Sequence, residues 1–174
     1  MEEKLRSEII QYLVGKSHGL GKVQLQKRIY FLQEVFRVPV DYDYVMHYYG
    51  PYSFELDNTL SEMQGKGVLS INYVLYPAGY VGYHISLGKN AESSLKLKNE
   101  YKDKADQVLD IFKPMDAQTI ELWATIHFVR SILAEKERDF GKKAVVKEVG
   151  LLKPKFGAQD IEKAYEEMQN KNLL

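Results

Sequence analysis

The sequence predicts an α+β, mainly helical fold, with a winged-helix-like domain over residues 1–88 and a helical region over residues 89–174 packing on it. Three observations carry that expectation. Apolar residues recur every three or four positions in two stretches before Pro39 and in one after Ser53, which is the period of a helix with one buried face. Two runs rich in β-branched and aromatic residues flank Pro77-Ala78-Gly79, the pattern of a hairpin. Beyond Gly88 the pattern becomes helical throughout.

From Glu2 to Lys16, Leu5, Ile9 and Leu13, with Ile10 and Val14 beside them, define the first helix, and Gly15, Gly19 and Gly21 break it. A second helix is expected from Lys22 to Arg37, burying Leu25, Ile29, Leu32 and Phe36, with Pro39 ending it. Tyr44 to Tyr49 reads as a short strand closed by Gly50-Pro51. Ser53 then caps a third helix: Glu55 and Asp57 suit its positive end, Leu56, Leu60 and Met63 form its buried stripe, and Gly65 and Gly67 stop it. Strands over Val68–Tyr76 and Tyr80–Leu87 complete the order helix, helix, strand, helix, hairpin, in which the third helix corresponds to a DNA-reading helix and the hairpin to a wing.

In the C-terminal half, a charged helix is expected from Ala91 to Phe112, stopped by Pro114. Another runs from Asp116, its N-cap, to Glu137, with Ile120, Trp123, Ile126 or His127, and Arg130 or Leu133 on one side. Helices over Lys142–Val149 and Ala158–Asn170 follow, joined by Gly150–Gly157. The octapeptide Glu62–Leu69 echoes Glu167–Leu174, with Gly and Asn exchanged where a positive φ is needed. Shared helix-capping chemistry explains this echo; a truncated second helix-turn-helix unit is the alternative.

Composition narrows the function. Apolar residues make up 45% of the 174 and charged residues 28%, as in a globular chain with a real core. Lys plus Arg and Asp plus Glu both number 24, so no overall field draws the chain to polyanions. The absence of cysteine removes disulfides, thiolate metal sites and cysteine nucleophiles. Met1-Glu2-Glu3-Lys4 is not the start of an export signal and no apolar run of about 18 residues occurs, so a cytoplasmic protein without membrane association is expected.

Lys22-Val23-Gln24-Leu25-Gln26-Lys27-Arg28-Ile29-Tyr30-Phe31-Leu32-Gln33, followed by His47-Tyr48-Tyr49-Gly50-Pro51-Tyr52-Ser53 and Glu55-Leu56, resembles the YwgA-like family of prokaryotes. More distantly it is similar to the Panacea (SocA-like) domain. The resemblance covers about residues 5 to 70. It implies a winged-helix-like core and, on the Panacea side, an antitoxin-like role in which a partner protein is bound and neutralised.

The charge pattern argues against DNA as the ligand of such a core. Affinity for nucleic acid rests on Lys and Arg at phosphates, yet none lies between Ser53 and Gln64, where Asn58 and Gln64 alone could read bases, or between Val68 and Leu87. One local basic cluster, Lys142, Lys143, Lys147, Lys153 and Lys155 with the single acid Glu148, is a possible nucleic-acid contact or a solvated helix face. A DNA-binding transcription regulator is therefore the second reading.

Tyrosine is the more unusual feature: ten of thirteen lie between Tyr30 and Tyr83. Tyrosine supplies contact area at low entropic cost and a hydroxyl that tolerates water, so an exposed set marks a protein interface; packing between sheet and helices is the alternative. Tyr48, Tyr49, Tyr52, Asn58, Tyr76, Tyr80 and His84 are the candidate contact residues, on a surface made by the Gly50 turn, the third helix and the hairpin. Alternation puts Val81, Tyr83, Ile85 and Leu87 on one hairpin face and Tyr80 and His84 on the other.

Catalytic candidates are few. If the first strand pairs with the second hairpin strand, His47 and His84 become cross-strand neighbours able to share a metal or a proton, with Asp43 or Glu55 completing the set. No metal-ligand spacing, nucleophile elbow, phosphate-cradling loop or dinucleotide fingerprint accompanies them, and His127 reads as a packed core residue. The expectation is a non-enzymatic regulatory module without a cofactor, binding a protein partner or a second copy of itself.

Overall fold

The apolar periodicities become seven helices and five short strands among the residues that the computed structural model describes, 2–75, 79 and 81–174. In chain order these are α1 (Glu2–Lys16), β1 (Leu20–Gly21), α2 (Lys22–Glu34), β2 (Val45–His47), β3 (Gly50–Tyr52), α3 (Phe54–Gly65), β4 (Leu69–Leu75), β5 (Val81–Leu87), α4 (Asn99–Phe112), α5 (Ala117–Glu135), α6 (Lys142–Leu152) and α7 (Ala158–Asn170). The fold is α+β and mainly helical, with a small antiparallel sheet. Two compact units divide the chain: Met1–Val45 with Tyr52–Pro114, and Met46–Pro51 with Met115–Leu174. A boundary at residue 88 would leave α4 with the later helices; the contacts place it in the first unit, where it packs on α1 and α2 through Ala105, Val108 and Phe112.

In the first unit α1 buries Ile9, Ile10, Leu13 and Val14 and stops where His18 and Gly19 take positive φ. Glycine is required at 19 because a Cβ there would stand 2.3 Å from His84 Nε2 at a φ of +103°. The turn delivers Leu20 and Gly21 to β5, opposite Ile85 and His84, so the sheet order is β1-β5-β4. This corrects the expected strand pairing. The strand of Tyr44–Tyr49 does not join β5; its shorter form β2 pairs with β3 in a separate two-stranded ribbon, while β1, only two residues long, takes the place beside β5.

Eight consecutive residues of α2, Leu25 to Leu32, are buried, so this helix has no solvent face, although a single stripe was expected. Arg28 donates to Gln24 Oε1 at 2.8 Å and to the Phe112 carbonyl at 3.2 Å while its Nε stays buried without a hydrogen bond, and burial lowers its guanidinium to a pKa of about 10. The helix ends at Glu34 rather than Arg37 because Arg37 adopts φ +54° and the Val38 amide turns back to the Leu32 carbonyl.

Residues 38–42 then follow an irregular path, in which the Val40 amide turns back to the Val38 carbonyl and Asp41 takes φ +47°, with Val38, Val40 and Tyr42 buried and Pro39 and Asp41 exposed between them. Side chains bond this backbone where a sheet would otherwise do so. Arg6 donates to the Val40 and Asp41 carbonyls, both at 2.6 Å, and lies over the Tyr42 ring at 4.2 Å. Gln33 exchanges two hydrogen bonds with the Tyr42 backbone, and Gln26 does the same with Ser53. The stretch from Ala91 to Lys98, expected to be helical, is irregular; Leu95 packs toward Gly15, Leu97 is buried, and the Glu92 amide donates to Gln11.

In the second unit Asp116 caps α5 by accepting the Thr119 amide at 2.7 Å, as its sequence position indicates. That bond holds its carboxyl below the ordinary range. Helices α5, α6 and α7 pack on one another, burying Ile120, Trp123 and Ile126, then Val145 and Val149, then Ile161, Ala164 and Met168. His127 is half-buried rather than a full core residue.

The octapeptide echo is a shared helix cap. Val68 donates to the Met63 carbonyl across Gly67 at φ +72°, and Leu173 donates to the Met168 carbonyl across Asn172 at φ +55°.

Candidate interaction surfaces

In the first unit, the register of β4 and β5 sets the geometry of the hairpin. Leu69 lies opposite Leu87, Ile71 opposite Ile85, Tyr73 opposite Tyr83 and Leu75 opposite Val81. Because side chains alternate along a strand, these eight share one face, as the alternation of Val81, Tyr83, Ile85 and Leu87 indicates. At the base of the hairpin that face belongs to the core, with Leu69 and Ile85 buried. Farther out it leaves the core and stays apolar: Tyr73 is 70% exposed, Leu75 71% and Val81 62%. The Tyr73 and Tyr83 rings meet at 4.4 Å between centroids, and their hydroxyls are hydrogen-bonded.

His84 lies on the other face, half-buried against Gly19 with Asn72 opposite. Its ring closes over the Gly19 turn between α1 and β1. Since β2 pairs with β3 and not β5, His47 and His84 are not cross-strand neighbours, and no group of three or more metal-binding side chains occurs among the described residues. Tyr76 and Tyr80 lie outside the described residues.

On α3 the Ser53 hydroxyl accepts the Leu56 amide at 3.1 Å, fixing the helix start. Its outward side presents Glu55, Asn58, Ser61, Glu62 and Gln64, with no cation. Three cations beside this helix are held by acids: Arg6 pairs with Glu55 at 2.6 Å, Lys22 with Asp57, and Lys66 with Glu3 at 3.8 Å. Tyr52 is half-buried; burial and a hydrogen bond with Asp57 hold its hydroxyl protonated well above the ordinary tyrosine range.

In the second unit the β2–β3 turn carries Tyr48, 83% exposed, and Tyr49, 56% exposed. A buried lysine anchors that turn. Lys153 donates to the His47 carbonyl at 3.1 Å and to the Tyr48 carbonyl, and its ammonium stands 3.2 Å from the Glu121 carboxylate, itself 2% exposed. Lys155 reaches the other oxygen of Glu121 at 2.8 Å and lies 5.8 Å from the Tyr49 ring centroid. Lys142 is held by Glu166 at 2.6 Å.

The expected basic cluster is therefore not a cluster of free cations. Glu121 and Glu166, distant in sequence, engage three of its five lysines, and Lys143 and Lys147 are left exposed on α6 without an ion-pair partner among the described residues. No family model and no curated protein sequence matches the chain.

The residues that organise these surfaces, Arg6, Gln26, Gln33 and Glu121, escape a sequence reading. One signal was present at Glu121: a charged residue between Ile120 and Leu122-Trp123-Ala124, inside an apolar helical stretch, has to be hydrogen-bonded or paired.

Proposed function

We propose that this chain is a non-enzymatic regulatory module with a winged-helix-like core that binds a protein partner or a second copy of itself. Supporting the core assignment is the order helix, strand, helix, helix, strand, strand in the first unit, with the first strand antiparallel to the last. The observation that carries the function is the wing face, on which Tyr73, Leu75, Val81 and Tyr83 continue the core outward into solvent with no charged residue from Val68 to Leu87. An exposed apolar patch of that kind marks a protein contact, and tyrosine suits its rim. In the second unit the Tyr48–Tyr49 turn, tethered through Lys153, is a further contact. An antitoxin-like module that neutralises its partner is one form of this reading.

The test is a nuclease-treated pull-down in which wild type is compared with Tyr73→Ser/Tyr83→Ser and, separately, Tyr48→Ser/Tyr49→Ser. Specific loss of one retained protein, or of self-association, with either pair supports the reading. Identical retention by wild type and both variants rejects it.

A DNA-binding transcription regulator is the second reading, favoured by Lys143 and Lys147 one helical turn apart on α6. DNA retention that survives loss of the tyrosines and falls on Lys143→Ala/Lys147→Ala would put it first.

A further inference from the structure

We propose that the outer edge of β4 pairs antiparallel with β4 of a second copy, about a twofold axis through Val74, to join two wings into one continuous sheet. The proposal rests on the reading of the wing as an interaction surface and names its occupant. Strand order β1-β5-β4 leaves β4 at the sheet edge. The phase of its backbone follows from the bond between the Gly88 amide and the Val68 carbonyl. Even-numbered residues of β4 bond to β5, and the N–H and C=O groups of Ile71, Tyr73 and Leu75 point away from it. Gln64 confirms this phase, because its side chain reaches the Ile71 carbonyl from the open side at 3.4 Å. The free stretch is accordingly the outer one, Tyr73 to Leu75.

Edge strands of single-copy proteins carry lysines, prolines or bulges that block pairing. The β4 sequence Leu-Ser-Ile-Asn-Tyr-Val-Leu has no charge and no proline, and its register with β5 is unbroken from Leu69 to Leu75. The opposite side of the sheet is covered at Ile85 and His84 by β1.

A second copy fits this edge for two reasons. With Val74 on the axis, the amide and carbonyl of Tyr73 meet those of Leu75 of the other copy, and the converse, giving four main-chain hydrogen bonds from a single self-complementary segment. The same register merges the two apolar faces, each contributing Tyr73, Leu75, Val81 and Tyr83. The charges match as well: neither wing brings a charged residue to the junction, and at a formal net charge of zero the copies do not repel one another.

The chain has no cysteine, so a single introduced thiol reports the register. Directly opposed residues at a non-hydrogen-bonded antiparallel position have Cα atoms about 4.5 Å apart, within disulfide range. Oxidised Val74→Cys is expected to run as a covalent dimer on a non-reducing gel. Ser70→Cys, whose copies the same register separates by on the order of 25 Å, stays monomeric. By light scattering, wild type is a dimer at micromolar concentration and Tyr73→Lys/Leu75→Lys a monomer with unchanged far-ultraviolet dichroism.

A monomeric wild type, a dimer that survives the lysines, or equal cross-linking of Ser70→Cys and Val74→Cys overturns the proposal. If the wild type is monomeric while the Tyr73/Tyr83 variant still loses a retained protein, self-pairing fails and the wing remains a contact for another chain.

Discussion

Gln26 and Ser53 exchange two hydrogen bonds: the Gln26 amide donates to the Ser53 carbonyl at 2.9 Å and accepts the Ser53 amide at 3.0 Å. Both residues are fully buried. One heptad along α2, Gln33 repeats the arrangement on Tyr42 at 2.9 and 2.8 Å. In each case a side-chain amide replaces a strand neighbour, and the two together hold the chain before α3 against α2.

Removing the first clamp exposes its worth. Gln26→Leu keeps the volume apolar and strands the Ser53 N–H without water, while the Ser53 carbonyl keeps the Asp57 amide at 3.2 Å. A loss of about 1–3 kcal/mol in urea unfolding, with an unchanged m-value, is expected. Gln33→Leu, at a half-buried site, costs less. Equal stability of Gln26→Leu and wild type would show that the clamp contributes nothing.

The two lysines on Glu121 predict an asymmetric pair of effects. Lys153→Met removes a cation whose side chain is 7% exposed and leaves a buried carboxylate short of a partner, a change worth about 3–5 kcal/mol. Lys155→Met removes a half-exposed cation from the same carboxylate and costs under about 1 kcal/mol. Denaturation of the two variants side by side checks the order, and hydrogen exchange at Tyr48 and Tyr49 should quicken in Lys153→Met alone.

Tyr12, Asp106 and Lys102 make stability pH-dependent at both ends of the scale. Burial, then the 2.6 Å bond to Asp106, raises the Tyr12 hydroxyl to a pKa of about 12. Its contribution is full below the unfolded value near 10 and is lost as pH climbs through about 12. For Asp106 burial acts upward, but hydrogen bonds from Lys102 and Tyr12 outweigh it and hold the carboxyl low. Its contribution is present above the ordinary carboxylate range and fades as acid carries the pH through the lowered value. Tyr12→Phe should flatten the alkaline limb of a stability-against-pH curve and weaken the acid limb. An alkaline limb as steep as that of wild type would assign the effect to other groups.

A duplex-DNA contact made through Lys143 and Lys147, which have no ion-pair partner among the described residues, would be shallow in salt. Two phosphate contacts give a slope of log K against log salt of about −2, hence roughly tenfold weaker binding between 50 and 200 mM. Fluorescence anisotropy across that range measures it. A slope of about −5 or steeper would require several cations beyond Lys143 and Lys147 and would reinstate the DNA reading.

Signals confined to a short window of sequence were legible. Ser53 and Asp116 announced their caps, Gly67 and Asn172 their left-handed helix ends, and the alternation after Tyr80 the face of the hairpin. What escaped depends on partners far along the chain. Two residues, Leu20 and Gly21, are too few for strand periodicity to register, whereas the Tyr44–Tyr49 run carries the stronger strand signal without pairing with β5. Lys142, Lys153 and Lys155 looked like a basic patch because their acids, Glu166 and Glu121, come from other helices. Leu97 continues the helical spacing of Tyr101, Ala105, Val108 and Phe112, yet the segment that carries it packs as an irregular strap.

The burial of α2 from Leu25 to Leu32 has a genetic corollary. A surface helix tolerates changes on its wet side, so a saturating mutational survey of one shows harm recurring every third or fourth codon. Here the intolerant codons would form an unbroken block of eight, in which introducing a charge at Ile29 and erasing one at Arg28 are both damaging.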